Sequence, residues 1–252
     1  MKKILSLIVF LLFANALVFA NNNDSLWIKG NEAYAVEEYG TALDFYNQIL
    51  DKGENSYNLY YNIGNSYYKM GEVGKAILYY EKALKLNPSG KDAKNNLEIA
   101  KLKTLDKVES VPEFFVISWI KGFRNSFSSD NWANISIIFI IITGFLFLLY
   151  KFASTSKKRK FSFVLACLTL LCFIISFIFA LNLSNKASGE DGAIIMQPVS
   201  NVKSAPNATG NNIFILHEGT KVKILESTGS WCKIEILDGR QGWINGNDLE
   251  KI

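Results

Sequence analysis

The sequence is short of the residues that most catalytic and metal sites draw on. Among 252 residues there is one histidine, His217, and there are three cysteines, Cys167, Cys172 and Cys232. A single imidazole with dispersed thiols makes no zinc cluster, and three cysteines supply no disulfide framework. His217 and Cys232 are expected on neighbouring strands at best, without a third group to orient them. No catalytic residue, metal or cofactor is therefore expected. Charge of one sign is scarce too: 27 basic against 23 acidic residues leave +4, too little for a nucleic-acid partner. A phosphate loop is also missing. In "KMGEVGKA", residues 69–76, Lys69 stands where the motif needs glycine, and Ala76 follows Lys75 where it needs Ser or Thr.

What the chain has in quantity is apolar sequence, in three long runs. Residues 1–20 carry two lysines, an apolar core and small residues at Val18 and Ala20. That pattern reads as a secretory signal peptide cleaved after Ala20, with an uncleaved anchor as the other reading. The runs 132–150 and 161–183 are each long enough to cross a bilayer, and Trp132 and Tyr150 sit at the ends of the first. Between them, residues 151–160 hold Lys157, Lys158, Arg159 and Lys160 and no acid. Cations in a short loop resist translocation, so this loop is expected in the cytoplasm and both flanks outside it. Residues 111–130, opened by Pro112, place Val116, Trp119, Ile120, Phe123 and Phe127 at helical spacing. This stripe suits a helix lying on the membrane surface or one packed on a soluble domain; periodicity does not separate the two.

Residues 21–110 repeat at a spacing of 34. Gly30 matches Gly64, Asn31 matches Asn65, Tyr34 matches Tyr68, Ala42 matches Ala76 and Tyr46 matches Tyr80. A fixed period of this length marks stacked helix pairs. The copy at 57–90, with Tyr60, Gly64, Tyr67, Ala76, Tyr80, Ala83 and Pro88, resembles a tetratricopeptide (TPR) repeat. Gly71 and Gly74 then belong to the turn between its helices. The copy at 23–56 is more degenerate. From Lys91, Ala93, Leu97, Ala100 and Leu102 mark one side of a capping helix.

The TPR resemblance implies a protein-binding concave face built by the first helix of each repeat. On this sequence it comprises Trp27, Asn31, Tyr34, Asn58, Tyr61, Asn62, Asn65, Tyr68 and Lys69. Asn31 and Asn62 match the asparagines of a carboxylate clamp, but Trp27, Asn95 and Ile99 stand at its cation positions. An aromatic, amide-rich groove suits a neutral extended segment. For Tyr60, Tyr67 and Tyr80 the expected role is packing.

After a polar linker at 184–192, residues 193–252 change to short runs, "AIIMQ", "NIFIL", "KVKIL" and "CKIEI", separated by turn residues. With "VKSAP" and "DGRQGWI" they resemble a bacterial SH3 domain. The resemblance implies a groove for cell-wall peptides at Ser204, Pro206, Trp231 and Trp243. Packing in a small barrel is the stronger expectation for both tryptophans.

The expected fold class is a multidomain membrane protein: an all-α TPR repeat, a transmembrane helical hairpin and a small all-β SH3-like barrel. That order of modules resembles the BatE family, the TPR component of the Bat (aerotolerance) operon. The resemblance implies a non-enzymatic envelope scaffold of the bacterial inner membrane with both soluble domains in the periplasm. Its implied partners are membrane proteins with von Willebrand A domains. A tether to peptidoglycan is the alternative.

Overall fold

A computed structural model describes residues 22–108, 114–189 and 191–252. The signal-peptide reading of residues 1–20 and the break at Pro112 fall outside those residues. The chain divides into two compact units, residues 1–54 and 55–252.

In the first unit α1 (Asn22–Ala35) pairs with α2 (Tyr39–Asp51). The turn between them places Glu37 at φ 65°. Ala42 and Leu43, then Tyr46 and Ile49 at three- and four-residue spacing from them, line one side of α2 and are buried.

The second unit opens with the pair α3 (Tyr57–Lys69) and α4 (Val73–Leu86), followed by α5 (Lys91–Lys101). Ser56 caps α3 by accepting from the Leu59 amide at 3.2 Å. Gly71 turns the chain at φ 84°, a conformation that disfavours other residues. Gly74, assigned by sequence to the same turn, lies instead in the first turn of α4. Ala93, Leu97 and Ala100 of α5 are buried as expected, whereas Leu102 ends the helix pointing outward, 76% exposed.

Two helices follow that are long and apolar enough to cross a membrane, α7 (Ser129–Phe152) and α8 (Ser156–Ser188); the most apolar 18-residue stretch of each has a mean hydropathy of 2.4 and 2.9. At 1.5 Å per residue they extend about 36 and 50 Å. They run antiparallel, since Trp132 meets Phe179 at one end (5.1 Å between ring centroids) and Tyr150 meets Phe163 at the other (5.7 Å). Their seam holds the small residues Ser136, Ser162, Ala166, Ser176 and Ala180 and a hydroxyl bond from Thr143 to Thr169 at 2.8 Å. The basic loop expected at 151–160 is shorter than that. Thr155 caps α8, so Lys157, Lys158, Arg159 and Lys160 form its exposed first turn. The linker expected at 184–192 is mostly helix as well. Backbone bonding continues to Gly189, whose amide donates to the Asn185 carbonyl at 3.0 Å.

Before α7, the short helix α6 (Phe115–Arg124) buries none of its side chains. Phe123 touches Trp132 and Phe179 at the end of the hairpin, while Phe115, Trp119 and Ile120 stay exposed.

The C-terminal region is an antiparallel sheet of β1 (Gly192–Ile195), β2 (Val199–Lys203), β3 (Asn212–His217), β4 (Lys221–Thr228), β5 (Trp231–Glu235), β6 (Gln241–Asn245) and β7 (Leu249–Lys251). The strand order is β3-β2-β6-β5-β4-β1-β7. Ala193, Ile195, Val202, Leu216, Val222, Ile234 and Ile244, from six of these strands, share one core. With neighbouring strands about 4.8 Å apart, a flat sheet could not bring them together, so the sheet wraps around the cluster. Asp238 and Gly239 make the β5–β6 turn, Gly239 at φ 89°. Gly242 serves a close strand crossing rather than a turn: a Cβ there would strike the Val202 side chain.

Candidate functional site

In the first unit, a Cβ on Gly30 would lie 2.5 Å from the Tyr46 ring, so only glycine admits that ring against α1. The Tyr46 hydroxyl then donates to Asn31 Oδ1 at 2.8 Å. The second unit repeats this device 34 residues later. A Cβ on Gly64 would lie 2.7 Å from the Tyr80 ring, and the Tyr80 hydroxyl donates to Asn65 Oδ1 at 2.8 Å. Asn96 of α5 also donates to Asn65 Oδ1, at 2.8 Å, and to the Tyr61 hydroxyl at 3.3 Å. Asn31 and Asn65 thus satisfy the hydroxyls of buried tyrosines, a packing function.

The other groove residues are placed as follows. Trp27 packs on Tyr46 (5.8 Å) and Tyr34 on Tyr39 (5.3 Å). In the second unit Tyr61 stacks on Tyr57 (6.1 Å), and the Lys103 ammonium lies 4.2 Å from the centre of the Tyr68 ring. Asn62 is half-buried, while Asn58 and Lys69 are exposed. Tyr60 and Tyr67 both pack on Tyr79, and burial pushes the Tyr79 phenol up to about 12.

The helical and β regions of this unit are in contact. They share a core and a polar seam. Ile194 of β1 faces away from the sheet core and joins Ala76, Ile77 and Tyr80 among the helices. Burying an isoleucine side chain of this kind contributes about 1.5–3 kcal/mol. Glu218 reaches the start of α4, where its carboxylate accepts from the Gly74 amide at 3.1 Å and occupies the space a Cβ at 74 would need. An anion at a helix N-terminus satisfies an orphan donor and opposes the macrodipole. Glu81, buried on α4, pairs with Lys221 at 2.5 Å and Lys101 at 3.8 Å. Lys85 donates to the Ile252 carbonyl at 2.6 Å.

Asp106, in the segment after α5, closes the seam. It accepts from the His217 amide at 2.7 Å and the Thr220 hydroxyl at 2.7 Å, and its other oxygen lies 2.8 Å from His217 Nδ1. Burial raises this carboxyl, but the bonds from Thr220 and His217 outweigh it and hold the group below its usual value. His217 is thereby tied to the seam. It lies on β3 and Cys232 on β5, with β2 and β6 between them, so the two are not on neighbouring strands.

On the outer face of the sheet, Trp243 of β6 lies opposite Lys203 of β2 and Lys233 of β5. Trp231 sits two residues from Lys233 and so projects from the same face, and the Lys203 ammonium lies 5.8 Å from the centre of its ring. Both tryptophans are half-buried and neither belongs to the core, which corrects the expectation of barrel packing. Aliphatic residues from six strands already fill that interior. Ser204 and Pro206 are exposed on the loop that leaves β2 beside this face.

Comparisons with known proteins support both modules. Residues 57–89 match a tetratricopeptide repeat family model, and residues 198–250 match one for a bacterial SH3 domain. Protein bimA of Emericella nidulans is 39% identical over 62 residues, 25% of this chain and 8% of that protein. A serine/threonine-protein phosphatase T of Aspergillus oryzae is 29% identical over 94 residues, 37% of this chain and 20% of that protein. The chain therefore spans a small part of either relative. Among solved structures, NlpC2 from Trichomonas vaginalis matches 25% of this chain and 26% of that one, with 18% identity and a TM-score of 0.23.

Proposed function

We propose that the protein is a non-enzymatic, membrane-anchored scaffold of the bacterial cell envelope. One observation carries this reading. A TPR repeat and an SH3-type sheet, both binding modules, are packed as one body at the same end of a hairpin of two apolar helices. An even number of crossings leaves both modules on one side of a bilayer. The cations Lys157, Lys158, Arg159 and Lys160 at the opposite end favour the cytoplasm, which puts the modules in the periplasm of an inner-membrane protein.

Partner binding is assigned to the first helix of the second repeat, where Asn58 and Lys69 are exposed beside Tyr61, Asn62 and Tyr68. By resemblance to the BatE family, the partners are membrane proteins with von Willebrand A domains, in an aerotolerance complex. Co-purification from solubilised membranes tests this. Asn58→Arg with Lys69→Glu should abolish recovery of the von Willebrand A partner while leaving the chain in the membrane. Unchanged recovery would contradict the assignment.

The outer face of the sheet favours a second reading, a tether to peptidoglycan. Trp231 and Trp243 are not consumed by the core, and Lys203 and Lys233 flank them. Aromatic faces beside cations suit short peptides that bear carboxylates. Sedimentation of the full chain in detergent with purified peptidoglycan should show binding that falls when Trp243 is replaced by alanine. No sedimentation would remove this reading and leave the scaffold.

A further inference from the structure

The short helix α6 is amphipathic, and most of its apolar side is uncovered. At about 100° per residue Phe115, Val116, Trp119, Ile120 and Phe123 fall within about 140° of its circumference. Ser118, Lys121 and Gly122 lie on the other side. Phe115 and Trp119 remain 73% and 71% exposed, so no surface among the described residues covers this stripe.

The depth of the stripe follows from where it touches the hairpin. Phe123, in the middle of it, lies 5.6 Å from Trp132 and 6.2 Å from Phe179 between ring centroids, and Trp119 stacks on Phe123 at 6.3 Å. The apolar run of α7 from Trp132 to Tyr150 extends about 28 Å, close to the roughly 30 Å of a hydrocarbon core. Trp132 therefore stands at the boundary of that core, and the apolar side of α6 meets it there.

The end of α6 is also made for a place short of water. The last four carbonyls of a helix have no partner inside it, and in water they can be left to solvent. Here the chain satisfies all four. The Asn125 amide donates to the Lys121 carbonyl at 2.9 Å and the Ser126 amide to that of Phe123 at 3.1 Å. The Ser126 hydroxyl donates to the Gly122 carbonyl at 3.1 Å, and Trp132 Nε1 to that of Arg124 at 2.7 Å. Each such group left open beside acyl chains would cost several kcal/mol.

We propose that α6 is an in-plane membrane anchor. Its stripe of Phe115, Val116, Trp119, Ile120 and Phe123 inserts into the leaflet at the Trp132 end of the hairpin, while Ser118, Lys121 and Gly122 face water. The partner of this face is the boundary between acyl chains and headgroups of a phospholipid layer. The proposal rests on the reading that α7 and α8 cross a bilayer.

Spin labels on single cysteines test it, in the full chain with Cys167→Ser, Cys172→Ser and Cys232→Ser. The chain is reconstituted into vesicles of phosphatidylcholine and phosphatidylglycerol. Phe115→Cys and Ile120→Cys report on the stripe, Ser118→Cys and Gly122→Cys on the other side, and Ile141→Cys on the middle of α7. Gly122 has room for the change, since a Cβ there would meet nothing within 4 Å. Oxygen, which concentrates among acyl chains, should relax the labels at 115 and 120 more than a water-soluble nickel chelate does. The order should reverse at 118 and 122. Nickel relaxing all four labels alike, with 141 protected, would overturn the proposal, because α6 would then lie in water. Labels at 115 and 120 shielded from both reagents would also overturn it, because a protein surface would then cover the stripe. Nickel reaching 141 as well would defeat the membrane reading, and the anchor with it.

Discussion

Tyr46 and Tyr80 fill the same place in the two copies of the repeat, each ring laid over a glycine and each hydroxyl given to an asparagine 15 residues earlier. The copies part company on the outward side of their second helices. Gly40 would meet no described atom within 4 Å if it carried a Cβ, whereas its counterpart Gly74 lies under Glu218. Asn47 and Asp51 of the first copy become Glu81 and Lys85 in the second, the two residues that bind the sheet. One set of positions keeps a helix pair together, and a second set turns one copy into a platform for another domain.

Five substitutions and one pH series probe that comparison. The largest effect is expected at the shared device. Gly64→Ala puts a methyl 2.7 Å from the Tyr80 ring and should cost about 1–3 kcal/mol, read as a lower unfolding temperature for the helical region. A smaller loss belongs to the platform. Glu81→Gln weakens the ties to Lys221 and Lys101, whose side chains are 39% and 37% exposed. Solvent moderates that pair, leaving about 1–2 kcal/mol, to be read from hydrogen exchange at the seam.

Next come the two glycines, which should respond with opposite signs. Gly40→Ala has room and should stabilise by about 0.5–1 kcal/mol. Gly74→Ala should destabilise by a similar amount, because it displaces the Glu218 cap. Thermal melts of both variants decide this, and equal shifts would dissolve the distinction between the copies.

The smallest effect is set by pH. Folding depresses the Asp106 carboxyl, so its contribution is complete above the unfolded value of about 4 and is lost as pH falls through the folded one. Exchange protection of the His217 amide should hold down to about pH 4 and decline below it. Asp106→Asn should remove that decline.

Much of this architecture is legible in the sequence because it rests on local periodicity. The tetratricopeptide repeat, the two apolar runs and the turn-punctuated strands are each visible as patterns, and the helix pair, the two apolar helices and the sheet they announce are present. The seam was not, because its pairs lie far apart in the chain; Glu81 and Lys221 are separated by 140 residues. One hint was available. "AIIM" is a continuous apolar run among alternating strands, the mark of a strand buried on both faces, and β1 is covered by the sheet core on one side and the helices on the other.

The groove residues show a different limit. Asn31 and Asn65 belong to the expected binding face, but each lies 15 residues before a tyrosine whose hydroxyl it accepts from. That constancy is a signature of packing. Trp231 and Trp243 were assigned to the core by size, yet the strand register puts them on the outside.

Sidedness is the claim on which the account depends. Single cysteines at Asn58, Lys158 and Lys223, in a chain with Cys167→Ser, Cys172→Ser and Cys232→Ser, can be probed with a membrane-impermeant maleimide on intact spheroplasts. Labelling at 58 and 223 without lysis, and at 158 only after lysis, is the predicted result. Labelling at 158 in intact spheroplasts, with 58 and 223 protected, would contradict it.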